Sequence, residues 1–135
     1  NIVVNENSLP KPSDEQGKII EQYENEALEH GQNYVMRLGG LITYKSNFVK
    51  LVLEKKLFLN NKYINAIFIS DVVSLIVKIL NEGISHQLVN VIMPKYMKYS
   101  DFDSAFKGEP VNAAVKSIHY NDESEFKIKS IEEIT

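Results

Sequence analysis

The sequence predicts an α/β fold: a mostly parallel sheet with flanking helices and small additional elements. Three observations predict it. Within the stretch from Pro12 to Ile42, Ile19, Ile20, Tyr23, Ala27 and Leu28 recur at helical spacing, and a short apolar strand, Tyr34–Leu38, follows and runs out into Gly39-Gly40. A second alternation comes later, where Ile67-Phe68-Ile69 leads into Ser70-Asp71 and an apolar helix. Finally, Gln87 to Met93 reads as a strand that Pro94 stops, because proline cannot donate to a ladder. Strands joined by helical crossovers pair in parallel, which places Tyr34–Leu38 and Leu88–Ile92 in one sheet.

Taken in order, Ile2-Val3-Val4 is a strand end or an ordered tail, and Asn5 to Pro12 is a polar, proline-containing connection. Ser13 is the expected N-cap of the first helix, with Asp14 and Glu15 in the first turn, where the helix dipole favours negative charge. Gly31 is the expected end of that helix. Ser46 caps a second helix with Phe48, Val49, Leu51, Val52 and Leu53 on its buried side, and Lys55-Lys56 lies near its negative end. Leu57-Phe58-Leu59 is a candidate strand and Asn60-Asn61 a turn. Ser70-Asp71 caps the third helix, whose Val72, Val73, Leu75, Ile76, Ile79 and Leu80 are apolar on more than one face; it is expected to be well buried and to end at Gly83. Ser100-Asp101 starts a shorter helix through Phe102, Ala105 and Phe106, ended by Gly108. Val111 to Tyr120 is ambiguous, Phe126–Lys129 alternates like a strand, and Ser130-Ile131-Glu132-Glu133 is a capping box.

A single domain of 135 residues is long enough to bury a real core. Hydrophobic residues make up 44% of the chain, yet no apolar run approaches the about twenty residues that a membrane helix needs. The net charge of -3 gives no reason to expect a nucleic-acid partner. Without cysteine there is neither a disulfide framework nor a thiol nucleophile, which suits a cytoplasmic protein. Arg37 is the sole arginine, and it supplies a planar fork that lysine cannot. Glu24 falls inside the helical apolar stripe and Arg37 interrupts an apolar strand. Either charge buried alone is costly, so the two are expected to pair across the helix–sheet interface, with loss of Glu24 costing about 3 kcal/mol.

These residues also carry a resemblance. Extended short-chain dehydrogenases/reductases, the NAD(P)-dependent sugar-nucleotide epimerase and dehydratase family, have a Tyr-Gly-x-Ser-Lys-x-x-x-Glu helix followed by a strand ending in Leu-Arg and a small-residue loop. Gly17 and Glu24 keep that spacing, and Arg37-Leu38-Gly39-Gly40 resembles the strand exit. The lead-in Asn5–Ser13, the segment Asn65–Val73 and the strand Leu88-Val89-Asn90-Val91 resemble further family segments in the same order. The resemblance implies that Gln16 stands at the position of the catalytic Tyr, Ile19 at that of the Ser, and Ile20 at that of the Lys. An amide has no comparable proton chemistry near neutral pH, and isoleucine has none. The same resemblance implies that the chain is the C-terminal, substrate-lobe part of a Rossmann-like, mostly parallel sheet, with the family's N-terminal cofactor half upstream of Asn1; that Gly39, Gly40 and Leu41 sit where a cofactor or sugar passes; and that the ligand is sugar-nucleotide-like.

The glycines at 17, 31, 39, 40, 83 and 108 form neither Gly-x-Gly-x-x-Gly nor a P-loop, so no cofactor is expected on this chain alone; NAD(P) enters only through an N-terminal half. His30, His86 and His119 are scattered, and no metal site is expected from them. Asp71 is read as a capping residue, and Asn90 as satisfying neighbouring backbone groups, with a ligand contact as the alternative. Gln16 is read as an exposed first-turn residue. Three functions remain. The first is a degenerate, non-catalytic relative of the epimerases. The second is the substrate-binding part of an active NAD(P)-dependent epimerase or reductase completed by an N-terminal half. The third is a non-enzymatic dinucleotide-sensing or interaction module. An open sheet edge beside Tyr34–Leu38 is expected to favour self-association or a second polypeptide.

Overall fold

The computed structural model describes residues 2–43, 45, 54, 60–83, 87–95 and 97–119. Along them run β1 (Val3–Val4), α1 (Glu15–Leu28), β2 (Val35–Leu38), β3 (Gly40–Ile42), β4 (Ala66–Phe68), α2 (Ile69–Glu82), β5 (Leu88–Val91), a 3-10 turn (Tyr99–Asp101) and β6 (Ala114–Val115). The helix expected from Ser46 falls outside the described residues except at Glu54, as do the strand at Leu57–Leu59, the strand at Phe126–Lys129 and the capping box at Ser130–Glu133.

The architecture is α/β, with short parallel strand pairs and two helices. β2 pairs with β5 in parallel, Val35 opposite Leu88 and Leu38 opposite Val91, so the two strands expected in one sheet do pair. β3 pairs in parallel with β4, and β1 with β6. β2 and β3 are one run of chain that changes partner at Gly39. Its N–H donates to the Val91 carbonyl at 3.1 Å, and the next N–H, of Gly40, donates to Asn65 O at 2.8 Å. Met93 N–H to Ala66 O at 2.8 Å ties β5 to β4. Side chains alternate across a strand. Val89 and Val91 therefore join Ile67, Ala66 and Leu75 of α2 in a fully buried core, while Arg37 and its register partner Asn90 face the other way, towards α1.

Several local expectations are corrected. The N-cap of α1 is Asp14, not Ser13: Asp14 has extended backbone and its carboxylate accepts the Gly17 N–H at 2.6 Å. α1 ends at Leu28, three residues before Gly31, which does not adopt a left-handed conformation. The apolar stripe faces the sheet only in part: Ile19, Ile20 and Tyr23 are exposed, while Ala27 and Leu28 join Gly17, Glu21 and Glu24 on the sheltered side. Ser70-Asp71 does not cap α2. That helix leaves β4 without a loop, Phe68 is its cap residue with no side-chain hydrogen bond, and Asp71 is buried within the first turn. Nor is α2 buried all round, since Val73, Ile76 and Leu80 are exposed while Val72 and Leu75 are buried. Gly83 does end α2, with φ 70° and its N–H on Ile79 O. The helix expected from Ser100 is a single 3-10 turn, because side chains there claim the backbone: Asp101 accepts Lys98 N–H, Asp103 accepts Ala105 N–H, and Asn61 accepts Ser100 N–H. The ambiguous stretch after Val111 contains β6, and its partner β1 resolves Val3-Val4 as strand.

Glu6 joins the two ends of the described chain. Its buried carboxylate accepts the Ser117 hydroxyl at 2.6 Å, Asn90 N–H at 2.9 Å and Ile118 N–H at 3.0 Å. Burial pushes its pKa up, but the hydrogen bonds from Ser117, Ile118 and Asn90 together outweigh it and hold the carboxyl below its ordinary value of 4.5. A depressed folded-state pKa contributes stability above the unfolded value and loses it as pH falls through the folded one. Stability is therefore expected to drop as pH falls below 4.5, and more steeply in the wild type than in Glu6→Gln. Glu6→Ala strands three donors and is expected to cost about 3 kcal/mol. Urea unfolding between neutral pH and the acid limb checks both; equal pH slopes in wild type and Glu6→Gln would contradict the linkage.

Candidate functional site

At the carboxyl end of β2 a cleft of about 1040 Å³ opens between the loop before α1, the first half of α1 and the β2–β3 junction. Ligand sites in parallel α/β sheets lie in this place, beyond the carboxyl ends of the strands. Ile2, Val4, Leu9, Ile20, Leu38, Ile92 and Val115 give it apolar walls, and Arg37, Glu24, Asn65 and Asn90 also line it.

The ion pair lies on this surface. Arg37 Nη2 donates to Glu24 Oε2 at 2.7 Å, and its Nε reaches Oε1 at 3.0 Å and Oε2 at 3.1 Å. The hydrogen bonds from Glu24 raise the arginine pKa and burial opposes them, so the guanidinium stays charged. Glu24 needs to point at the sheet to make this contact, which fixes the rotation of α1 and turns Ile19, Ile20 and Tyr23 outwards. The pair is only partly screened from solvent, with 28% of the Arg37 side chain and 17% of the Glu24 side chain exposed. Its loss should therefore cost less than a fully buried pair implies.

Of the positions singled out by sequence, Ile20, Gly39, Gly40, Asn90, Glu24 and Arg37 converge on the cleft. Gln16 is exposed in the first turn of α1 and is not among its lining, and neither are Ile19 and Leu41. Asp71 lies on α2. Asn90 is buried, and its side-chain amide donates to Lys116 O at 3.1 Å. Gly39 is glycine for packing: a Cβ there would come within 2.5 Å of Ile92 Cδ1, 3.0 Å of Asn65 O and 3.1 Å of Ala66 C. Among the described residues no group of three or more His, Cys, Asp or Glu side chains could hold a metal ion, and His86 lies outside them. No helix among them is long and apolar enough to cross a membrane.

Sequence reasoning missed Glu6, Asn65, Lys11 and Glu21. Asn65 is built into the site from both ends of its amide, which donates to Ala113 O at 3.0 Å and accepts Val115 N–H at 2.9 Å. Its one available signal was position, directly before the apolar run Ala66-Ile67-Phe68.

No protein-family model matches the chain, and no curated protein matches it. Its fold does match a solved structure from Methylobacillus flagellatus, provisionally described as an NAD-dependent epimerase/dehydratase. The TM-score is 0.61 at 15% sequence identity, over 86% of this chain and 48% of that one. The chain thus spans about half the length of the structure it matches, 48% of it. At that identity the likeness is one of fold: a partial Rossmann-like α/β arrangement.

Two substitutions separate packing from charge in this site. Gly39→Ala is expected to cost about 1–3 kcal/mol through overpacking. Ile92→Val in the same chain should restore only part, because Asn65 O and Ala66 C are backbone and cannot swing aside. Glu24→Ala is expected to cost about 1–2 kcal/mol, and Glu24→Ala with Arg37→Met less than Glu24→Ala alone, since no unpaired charge remains. Chemical denaturation of the four variants measures both.

Proposed function

We propose that this chain is a degenerate relative of the NAD(P)-dependent epimerase/dehydratase group, a part that holds a ligand and by itself carries out no hydride transfer. The observation that carries this reading is the side chain at Ile20. It lines the cleft at the carboxyl end of β2, at the position where the resemblance calls for lysine, and it offers only hydrocarbon. Gln16, at the position of the tyrosine, lies off the cleft. The fold likeness supports the kinship, and the missing Gly-rich phosphate cradle supports the lack of independent dinucleotide binding.

A second reading is favoured by one observation, the match to 48% of a longer chain. In it the same cleft is the substrate side of a working enzyme, completed by an N-terminal dinucleotide-binding half that also brings NAD(P) and the acid–base groups.

Calorimetric titration of the chain with NAD⁺, NADPH and UDP-glucose, beside a hydride-transfer assay, tests the proposal. Neither dinucleotide is expected to bind, and no turnover is expected. Loss of an acid/base group alone costs about 10²–10⁴ in rate. Gln16→Tyr with Ile20→Lys should restore nothing, because the phosphate site is still missing. Micromolar dinucleotide binding at a stoichiometry near one would overturn the reading.

A further inference from the structure

The ion pair leaves part of Arg37 unused. A guanidinium carries five N–H groups in a planar fork. Glu24 takes one side of that fork, the side made by Nε and Nη2. Nη1 has no partner among the described residues, so the end of the fork made by Nη1 and the second Nη2 hydrogen is left on a residue that lines the cleft. Because Glu24 holds the group in place from the other side, these two donors are oriented before any ligand arrives.

The rest of the cleft decides what those donors would meet. The amide nitrogen of Asn90 is occupied by Lys116 O, both ends of the Asn65 amide are occupied by Ala113 O and Val115 N–H, and the Ser8 oxygen already accepts Asn5 N–H. The side-chain amides of the cleft thus offer little to the many hydroxyls of a sugar, and its remaining polar side chains, Lys11 and Glu21, are charged. The walls are aliphatic. Charge is balanced across the lining, where Lys11 and Arg37 face Glu21 and Glu24, and the buried Glu6 carboxylate adds to the negative side. An anion therefore gains no net attraction here, and an unpaired charge loses its hydration.

We propose that the cleft binds an uncharged, largely apolar molecule through a single carbonyl oxygen, which accepts the two N–H groups at the free end of the Arg37 fork, one on Nη1 and one on Nη2. This rests on the reading of the cleft as a ligand site and names the chemistry of its ligand. The apolar body packs against Ile20, Leu38 and Ile92, and Leu9, exposed at the rim, adds further apolar surface.

The test uses three probes of nearly one shape: acetophenone, benzoate and ethylbenzene. Each is titrated into the isotopically labelled chain and followed by the amide resonances of Ile20, Leu38 and Gly39. Acetophenone is expected to bind about tenfold to a hundredfold more tightly than ethylbenzene, the worth of a hydrogen bond to a charged donor, and more tightly than benzoate. Arg37→Lys keeps a cation for Glu24 but has no second planar edge, so it should erase most of the preference for acetophenone over ethylbenzene. Ile20→Arg, at a side chain that is already 55% exposed, should block all three probes without touching the ion pair. Benzoate binding most tightly would overturn the uncharged-ligand proposal while leaving the cleft a ligand site. Equal binding of acetophenone and ethylbenzene would overturn the role of Arg37. UDP-glucose moving these resonances while no probe does would overturn the ligand chemistry and keep the earlier reading. Silence from all four compounds would overturn both.

Discussion

The carboxylate of Glu6 is the point on which the described parts of the chain depend. It reaches Asn90, 84 residues away, and Ser117 and Ile118, 111 and 112 residues away. Closing loops of that length is entropically costly, and the cost must be met by contacts that exist only in the folded state. Three donors converging on one buried anion supply such contacts, and each is stronger for being charge-assisted. Through them the loop before α1 is held against β5, so the cleft has a wall on its N-terminal side. The adjoining Asn5–Ser8 turn, closed by Ser8 N–H on Asn5 O, presents Leu9 and Lys11 at the rim.

Around that anion the strands are very short, and amide side chains finish what the ladders do not reach. Asn65 stands between Ala113 and Val115 as a peptide group of a neighbouring strand would, donating one way and accepting the other. Asn112 does the same for Tyr63, accepting its N–H at 2.7 Å and donating to its carbonyl at 3.1 Å. Asn61 spans Ser100 and Gly108. The fold is thus a set of two-stranded parallel pairs held in one piece by the partner change at Gly39 and by these side-chain amides. The same use of polar groups occupies the amide side chains that line the cleft, Asn65 at both ends and Asn90 through its nitrogen, and leaves charged groups, Arg37 among them, as its polar features.

What could be read from sequence follows from the range of the interactions. The pairing of β2 with β5 was legible because both are apolar runs bounded by turn residues, and helical crossovers impose parallel strands. The Glu24–Arg37 pairing was legible because a charge within an apolar pattern has few inexpensive solutions. The full facing of α1 was not: periodicity places Ile19, Ile20 and Tyr23 inwards along with Glu24, whereas Glu24 does face the sheet but those three side chains are exposed. On α2, apolar residues on several faces predict burial, yet Val73 and Leu80 are exposed. Hydropathy tells which residues can be buried, not how many neighbours are present to bury them. Glu6 was illegible for the opposite reason, since nothing next to it in the chain touches its carboxylate and an Asn-Glu-Asn triplet reads as a turn.

The asparagine clamps have a bearing on how this protein ages. Spontaneous deamidation to aspartate replaces an amide nitrogen with oxygen, a change of one unit of mass. At a solvated loop it goes unnoticed. At Asn65 or Asn90 it would set a carboxylate oxygen against the carbonyl of Ala113 or Lys116, turning a hydrogen bond into a repulsion inside the fold. Both ends of the Asn65 amide are also held, so the side chain cannot easily turn to let the following backbone nitrogen attack it. The groups that knit the strands together are in this way shielded from the chemistry that would undo them for as long as the fold stays closed.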